Sequence, residues 1–278
     1  RDRRLVAVVG SHGKTSVTAM LVSAARSSGI ELGYVLGGLF ANEQWAPAAP
    51  GAGDWLIAEI DESDGTIDRF SPAITVVVNL DWDHADRYPD VSIMEATFAG
   101  LMERTTEVVL GWDGCATTQR LLSHLSGPAE KVTFGATGDF CLNSHSSNGG
   151  MQSLELGGRF RIPTARVQAA GAFNALNATG ALAALQTMDV ELSPEMLSEY
   201  PGVRRRQAIL RQLPDLTVVE DYAHHPSEVR ALLQSVRQDL TSEQRLVVVF
   251  QPHRFSRTKQ FKTEFASALA VADSLHLL

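Results

Sequence analysis

The sequence predicts an α/β fold: a parallel sheet with a small antiparallel excursion, followed by a second, smaller α/β unit. Three observations predict it. Apolar, β-branched runs alternate with stretches of helical periodicity from Leu5 to Phe134, as crossover-connected parallel strands require. The first run ends in a glycine turn that opens a helix. The alternation lapses between Gly138 and Pro163 and restarts beyond Pro201-Gly202.

Leu5 to Val9 reads as a strand buried on both faces. The next helix carries Val17, Met20, Leu21 and Ala24 on one stripe. Leu32 to Leu36 is a strand, and residues 41–53, rich in Ala, Pro and Gly, form a loop. Trp55 to Ile60 and Ile74 to Leu80 are strands that run into acidic segments. A helix over Ser92 to Arg104, a strand at Glu107 to Leu110, a helix at Ala116 to Leu125 and a strand at Lys131 to Phe134 follow. Short alternating segments around Ser146-Ser147-Asn148-Gly149-Gly150 make the antiparallel excursion. Helices are expected from Gly171 to Met188 and around Pro194 to Tyr200.

Pro201-Gly202 divides the chain into units 1–202 and 203–278. In the second, Gln207 to Gln212 and Leu216 to Glu220 flank Leu213-Pro214-Asp215 as a hairpin. Pro226 opens a helix with Val229, Leu232, Leu233, Val236 and Leu240 at helical spacing. A strand at Leu246 to Phe250, a helix at Lys259 to Val271 and a strand at Ser274 to Leu278 complete it.

Composition narrows the function. The 278 residues are 44% hydrophobic, enough for one large or two medium cores. Lys and Arg number 24 against 32 Asp and Glu, a net charge of −8, which argues against nucleic-acid or anionic-membrane partners. The two cysteines, Cys115 and Cys141, give no disulfide framework and fit a reducing cytoplasm. No apolar run approaches the length of a membrane span, and the charged Arg-Asp-Arg-Arg start is no signal peptide. A chain that starts beside a core strand and stops on another is expected to be part of something longer.

The strand-to-helix turn Gly10-Ser11-His12-Gly13-Lys14-Thr15 has the parts of a phosphate-binding loop (a P-loop). Its glycines allow close backbone approach, and the helix N-terminus favours an anion. Lys14 brings a full charge to the outer phosphates, and the Thr15 hydroxyl suits Mg²⁺. A glycine-rich turn with a surface lysine is the plainer alternative.

Three further clusters lie at strand ends. Glu59 precedes Asp61, Glu62 and Asp64; His84 sits with Asp81 and Asp83. A carboxylate and an imidazole beside a phosphate loop could hold Mg²⁺ or Mn²⁺, although the acidic residues also suit a solvated loop and His84 a packing role. Arg204-Arg205-Arg206 follows the hinge. Asp221-Tyr222-Ala223-His224-His225-Pro226 and Pro252-His253-Arg254 with Arg257 present His and Arg at two neighbouring strand ends, a crevice suited to an anionic substrate group.

Through these strings the chain resembles the Mur ligases. Matching are Gly10 to Thr15, Ala58 to Asp64, Asn79 to His84, Asn174 to Ala178, Gly202 to Arg206, Asp221 to Glu228 and Phe250 to Thr258. The resemblance implies a three-domain enzyme: an N-terminal domain for a UDP-sugar, a central domain for ATP, and a Rossmann-like C-terminal domain for the amino acid. This chain resembles the central domain and about the first half of the C-terminal one, without the UDP-binding domain, and is expected to be inactive alone. The branch it is most similar to adds L-alanine to UDP-N-acetylmuramate in cytoplasmic peptidoglycan precursor synthesis, through an acyl phosphate and with release of ADP. The strings Asp83 to Asp86 and Arg204 to Gln207 lean instead to a branch that adds a tripeptide to the same sugar; the string at 250–258 leans back.

The resemblance also implies roles. Gly10, Ser11, His12, Gly13, Lys14, Thr15 and Ser16 would cradle ATP, with Lys14 on the outer phosphates. Thr15, Glu59 and His84 would hold Mg²⁺ or Mn²⁺. Asn174, Asn177, Asp221 and Tyr222 would lie near the nucleotide, and Arg206 would reach it from the next domain. His224, His225, Arg254 and Arg257 would meet the incoming amino acid, His224 being a candidate base. Phe173 stands where the family often has His, at the possible cost of a nucleotide hydrogen bond; Ala223 and Ser227 replace a frequent Gly and Thr. A folate polyglutamylating ligase is disfavoured by His12 and the His-His-Pro string, a P-loop kinase or GTPase by the string at 250–258. An ATP-binding module without turnover is the non-enzymatic alternative.

Overall fold

The computed structural model describes residues 3–278; Arg1 and Asp2 of the charged start lie outside them. Ten strands form one sheet: β1 (Arg4–Val9), β2 (Gly33–Val35), β3 (Ala48–Ala49), β4 (Trp55–Glu59), β5 (Ile74–Val77), β6 (Val108–Trp112), β7 (Glu130–Gly135), β8 (Phe140–Asn148), β9 (Met151–Gly158) and β10 (Thr164–Gln168), in the order 10-9-8-7-6-5-1-4-2-3. The run from β7 to β2 is parallel. β1 is central, with β4 on one side and β5 on the other. The chain leaves it towards β2 and later crosses back to β5. The strand order therefore reverses at the C-terminal end of β1, where parallel sheets open a crevice.

Alternation along β1 explains how both faces are covered. Val6 and Val8 point into a core shared with the helices α1 (Lys14–Ser27) and α4 (Ala172–Thr187). Ala7 and Val9 point the other way, into a core that includes Phe98 of α2 (Val91–Glu103) and Leu122 of α3 (Ala116–His124). Every side chain of Val6 to Val9 is fully buried. The β-branched run without polar alternation is the signature of that environment.

The antiparallel excursion joins this sheet rather than standing apart. β8 continues from β7 through Phe134↔Phe140, then folds back antiparallel onto β9, and β9 onto β10. No helix forms between Pro194 and Tyr200: the segment makes turns, and Leu197 bridges to Val167 at the sheet edge. The backbone there follows a tertiary contact instead of its local propensity.

The second unit holds the hairpin β11 (Ala208–Leu213) and β12 (Leu216–Glu220), then α5 (Pro226–Asp239), β13 (Val247–Phe250), α6 (Phe255–Gln260), α7 (Lys262–Leu269) and β14 (Ser274–Leu277). β13 and β14 pair in parallel over a core of Val229, Leu233, Phe250, Phe265 and Leu269. The single helix expected from Lys259 starts earlier and breaks at Phe261, whose ring packs edge-on against Trp82 and His225.

Phe134 is fully buried, and Gly180 of α4 gives it room: a Cβ there would sit 2.9 Å from the ring. Truncation to Phe134→Ala should lower the unfolding free energy by about 3–5 kcal/mol, read as a shift of the urea midpoint at constant slope.

Candidate nucleotide and metal site

The glycine loop is tied to the end of the neighbouring strand. Ser11 N–H donates to the Asn79 carbonyl at 3.0 Å and His12 N–H to Asn79 Oδ1 at 2.8 Å, while Asn79 Nδ2 donates back to the His12 carbonyl at 2.9 Å. Ser11 Oγ donates to the Asp81 carbonyl at 2.6 Å and accepts from Asp81 N–H at 2.8 Å. Gly10 has φ 135°, and a Cβ on it would lie 2.6 Å from the Asn79 carbonyl oxygen, so only glycine allows this approach. Gly13 precedes α1 at φ 80°, and no side chain caps that helix. Its first N–H groups are available to an anion.

Beneath the loop, Lys14 Nζ donates to the Gly10 carbonyl at 2.5 Å and to Glu62 Oε2 at 2.9 Å. Burial works against its charge, but the Glu62, Asp61 and Glu59 carboxylates outweigh burial and raise its pKa. Thr15 Oγ1 donates to Glu59 Oε1 at 2.8 Å, and Glu59 Oε2 accepts from Gly37 N–H at 2.8 Å. His84 Nε2 lies 3.6 Å from Glu62 Oε1. Ligand atoms of Asp61, Glu62 and His84 fall within 4.8 Å of one another. The Asp61 and Glu62 carboxylates are hard oxygen donors and the His84 imidazole a borderline one, a set that fits Mg²⁺ or Mn²⁺; Thr15 and Glu59, expected with His84, pair with each other and are not part of that group.

A cavity of about 530 Å³ opens beside the loop, lined by His12, Gly13, Ser16, Asn174, Asn177, Arg206 and Asp221 among others. Asn177 Nδ2 donates to Asn174 Oδ1 at 3.2 Å, and Asn174 Nδ2 to the Ala170 carbonyl at 2.8 Å. Asp221 takes N–H groups from Gln207 at 2.8 Å and Ala223 at 2.6 Å; burial nevertheless raises its pKa. Phe173 lines the same cavity. Tyr222 does not line it: its ring lies under the guanidinium groups of Arg205 and Arg206, at 5.0 and 5.4 Å.

The second unit meets the loop through charge. His12 sits between Asp81 Oδ2 at 3.0 Å and Glu228 Oε1 at 3.3 Å. Burial alone would lower its pKa, but these two carboxylates raise it to about 9. Burial and the positive His12 push His225 down to about 4. His12, Asp81 and His225 also converge within 4.8 Å, yet a protonated His12 has no lone pair for a metal. Glu228 closes a capping box with His225 at the start of α5 and accepts the N–H groups of His224 and His225 at 2.9 and 3.1 Å. Burial opposes its charge, and His12 more than compensates, holding its pKa far below the carboxylate range.

Of the four residues expected to meet the amino acid, two are accessible. His224 is partly exposed, with burial lowering its pKa, and Arg254 Nη1 reaches within 3.5 Å of His84 Nδ1. His225 is buried as the α5 cap, its ring 4.6 Å from that of His12. Arg257 is only 4% exposed and makes a double hydrogen bond with Asp83, at 2.9 and 2.8 Å. Sequence reasoning gave no individual role to Glu62, Asp83 or Glu228. For Glu228 a signal existed: it lies three residues after His225 and just inside a helix that opens with proline, the capping-box position.

These features define an α/β protein with a glycine loop and an uncapped helix N-terminus at the switch point of its large sheet, and a smaller α/β part that contacts the loop. The Mur ligase middle domain matches residues 8–185, and the Mur ligase glutamate ligase domain matches residues 204–278. The chain belongs to the Mur ligase family. The UDP-N-acetylmuramate–L-alanine ligase of Mycolicibacterium vanbaalenii is 36% identical over 98% of this chain and 59% of its own length. That of Solidesulfovibrio magneticus is 35% identical over 100% and 61%. Among solved structures, the UDP-N-acetylmuramate-alanine ligase MurC from Thermotoga maritima superposes with TM-score 0.81 at 28% identity, covering 99% of this chain and 61% of that one. A murein peptide ligase from Psychrobacter arcticus shares the fold, with TM-score 0.68 at 18% identity over 100% and 69%. The chain thus spans about three fifths of the length of the first relatives it matches. Among the described residues no helix is long and apolar enough to cross a membrane.

The raised His12 value carries a sign. A histidine held above its ordinary 6.5 adds stability that is complete below about pH 6.5 and is lost as pH rises through about 9. Ring titration by NMR should place the His12 midpoint near 9. Glu228→Gln should move it down, and an unmoved midpoint would mean that Glu228 contributes no charge to the ring.

Proposed function

We propose that this chain is the ATP-binding and amino-acid-side portion of a ligase that joins L-alanine to UDP-N-acetylmuramate, forming ADP and phosphate, in cytoplasmic peptidoglycan precursor synthesis. One observation carries the reading: ligases of that name align with 98% or more of the chain, at about 35% identity. The convergence of Lys14, Thr15, Glu59 and His84 around one loop supports it. We assign residues 1–202 to the ATP-binding part and 203–278 to the part that meets the amino acid.

The chemistry requires two anions to meet. The sugar carboxylate attacks the γ-phosphorus of ATP, giving an acyl phosphate and ADP; the amine of alanine then attacks the acyl carbon, and phosphate leaves. Lys14 is charged and fixed at the loop, and Arg206 lines the cavity, so both stand ready to stabilise the transferring phosphoryl group. Gly10 to Ser16 would cradle the phosphates, with the backbone N–H groups from Gly13 onward at the uncapped α1 N-terminus turned to them, since those of Ser11 and His12 are held by Asn79. Asn174, Asn177 and Asp221 bound the space for the nucleoside, with Tyr222 holding the arginines. Thr15, Glu59 and His84 would hold Mg²⁺, which when bound neutralises part of the triphosphate charge.

The amine must be neutral to attack. His224 Nδ1 lies 2.8 Å from the Tyr222 carbonyl, which fixes the ring proton on Nδ1 and leaves Nε2 as an acceptor. Burial lowers its pKa and so favours the neutral ring, whose Nε2 is the atom that would accept a proton from the incoming amine. Arg254, beside His84, is placed to meet the carboxylate of the amino acid.

The test uses the full-length protein with ATP, Mg²⁺ and UDP-N-acetylmuramate, offering L-alanine or a tripeptide and measuring phosphate release. Turnover with L-alanine is expected; turnover with the tripeptide alone would reassign the acceptor. Lys14→Ala should lower kcat at least about 10²-fold, the scale of one preorganised donor, without loss of fold by circular dichroism. Near wild-type turnover in that variant would remove Lys14 from the phosphoryl-transfer machinery.

A further inference from the structure

The contact between Asp83 and Arg257 joins residues 174 positions apart. Asp83 follows β5 in the first unit, and Arg257 lies in α6 of the second. Both are nearly sealed from solvent, at 5% and 4% exposure. Two hydrogen bonds, Nε to Oδ1 at 2.9 Å and Nη2 to Oδ2 at 2.8 Å, make the pair bidentate. Arg257 therefore has its Nε and Nη2 committed to Asp83, while its Nη1 is buried without a hydrogen-bond partner.

Asp83 does a second thing. Its Oδ1 also accepts the backbone N–H of His84 at 2.7 Å. His84 is held at φ 55°, a left-handed conformation that a histidine adopts only when its surroundings impose it. The turn is closed behind it by the N–H groups of Arg87 and Tyr88, each 2.8 Å from the His84 carbonyl. The second unit grips the same turn twice more, with Arg254 Nη1 3.5 Å from His84 Nδ1 and Ser256 Oγ donating to Asp86 at 3.0 Å. On its far side His84 faces Glu62, the partner of Lys14. An unbroken series of contacts thus runs from α6 through Asp83, His84 and Glu62 to the phosphate loop.

We propose that Asp83 and Arg257 are positioning residues: docking of α6 onto the turn at 83–86 sets the His84 ring, so that the metal position beside Lys14 is complete only when the second unit is closed. The proposal rests on the metal-dependent ligase reading above. It also explains why an arginine and an aspartate remain buried together: a buried pair is a poor source of stability, but it specifies one docking geometry.

Mn²⁺ is the probe, its binding to the full-length protein followed by electron paramagnetic resonance with a non-hydrolysable ATP analogue present. Asp83→Asn, Arg257→Lys and the double variant are compared with wild type, alongside kcat and KM for L-alanine. Each single variant should weaken Mn²⁺ binding by about tenfold, the cost of losing an outer partner of a metal ligand, and lower kcat. KM for L-alanine should hardly move, and the double variant should be no worse than the worse single one, because both break one interaction. A raised KM for L-alanine in Arg257→Lys with unchanged Mn²⁺ affinity would overturn the proposal, as would effects that multiply. Should Asp83→Asn fail to fold, Arg257→Lys decides alone, since it keeps the charge and loses only the bidentate geometry; unchanged Mn²⁺ affinity then refutes the pair's role. Wild type that binds no Mn²⁺ with the nucleotide would refute the underlying metal-dependent reading itself, a different result from either.

Discussion

A buried ammonium governs the layout of this protein. Lys14 lies under its own loop, and burial alone would lower its pKa. It stays charged because Glu62, itself 2% exposed, supplies the opposing charge at 2.9 Å, with Asp61 and Glu59 nearby. That requirement accounts for the acidic segment that follows β4. Carboxylates that would repel a triphosphate are tolerated because they hold the lysine charged and suit a divalent cation.

The same logic recurs at the seam between the two units. Apolar contact there is small, essentially Trp82 and Phe261 with the ring of His225. Two of the polar contacts are ionic and largely buried, His12 with Glu228 and Asp83 with Arg257, beside hydrogen bonds such as Ser256 to Asp86. Each joins a loop at the crevice of the sheet to the start of a helix in the second unit. Charge pairs are direction-sensitive and depend on close geometry, whereas an apolar seam would bind tightly in many registers. A joint that must close in one pose over a ligand, and open again, is better served by the former.

What could be read from the sequence follows from how local the cause was. The strands around β1 were legible because burial on both faces leaves an unbroken β-branched run. The loop was legible because Gly10 and Gly13 meet backbone demands that only glycine satisfies. The hairpin at Pro214-Asp215 was also visible, its turn chemistry lying within a few residues. The segment at 194–200 was misread because Leu197 gives up helix for a bridge to Val167, a partner thirty residues away. The break at Phe261 was hidden for a similar reason: its ring is fixed by Trp82, far off in sequence. Among the candidate site residues, types were legible and partners were not. Arg257 is an arginine at a strand end in sequence; only the fold reveals Asp83 against it. Glu62 looked like one acid of an exposed loop, yet Tyr88 Oη donates to its carbonyl at 2.6 Å and the side chain turns inward to Lys14.

Glu228 unites the two themes. It caps α5, pairs with His12 across the seam, and lies 3.9 Å from Arg206 of its own unit, so one carboxylate serves three groups. An isolated carboxylate there would oppose a triphosphate. Paired with a protonated His12, it leaves the Arg206 charge available to the cavity, because the histidine already answers its negative charge. If His12 lost its proton, Glu228 would draw more strongly on Arg206, and the cavity would lose a cation without any residue moving far. The histidine of the loop thus has a physical reason to be there that a glycine-rich turn alone does not supply: it balances a buried carboxylate from the other unit.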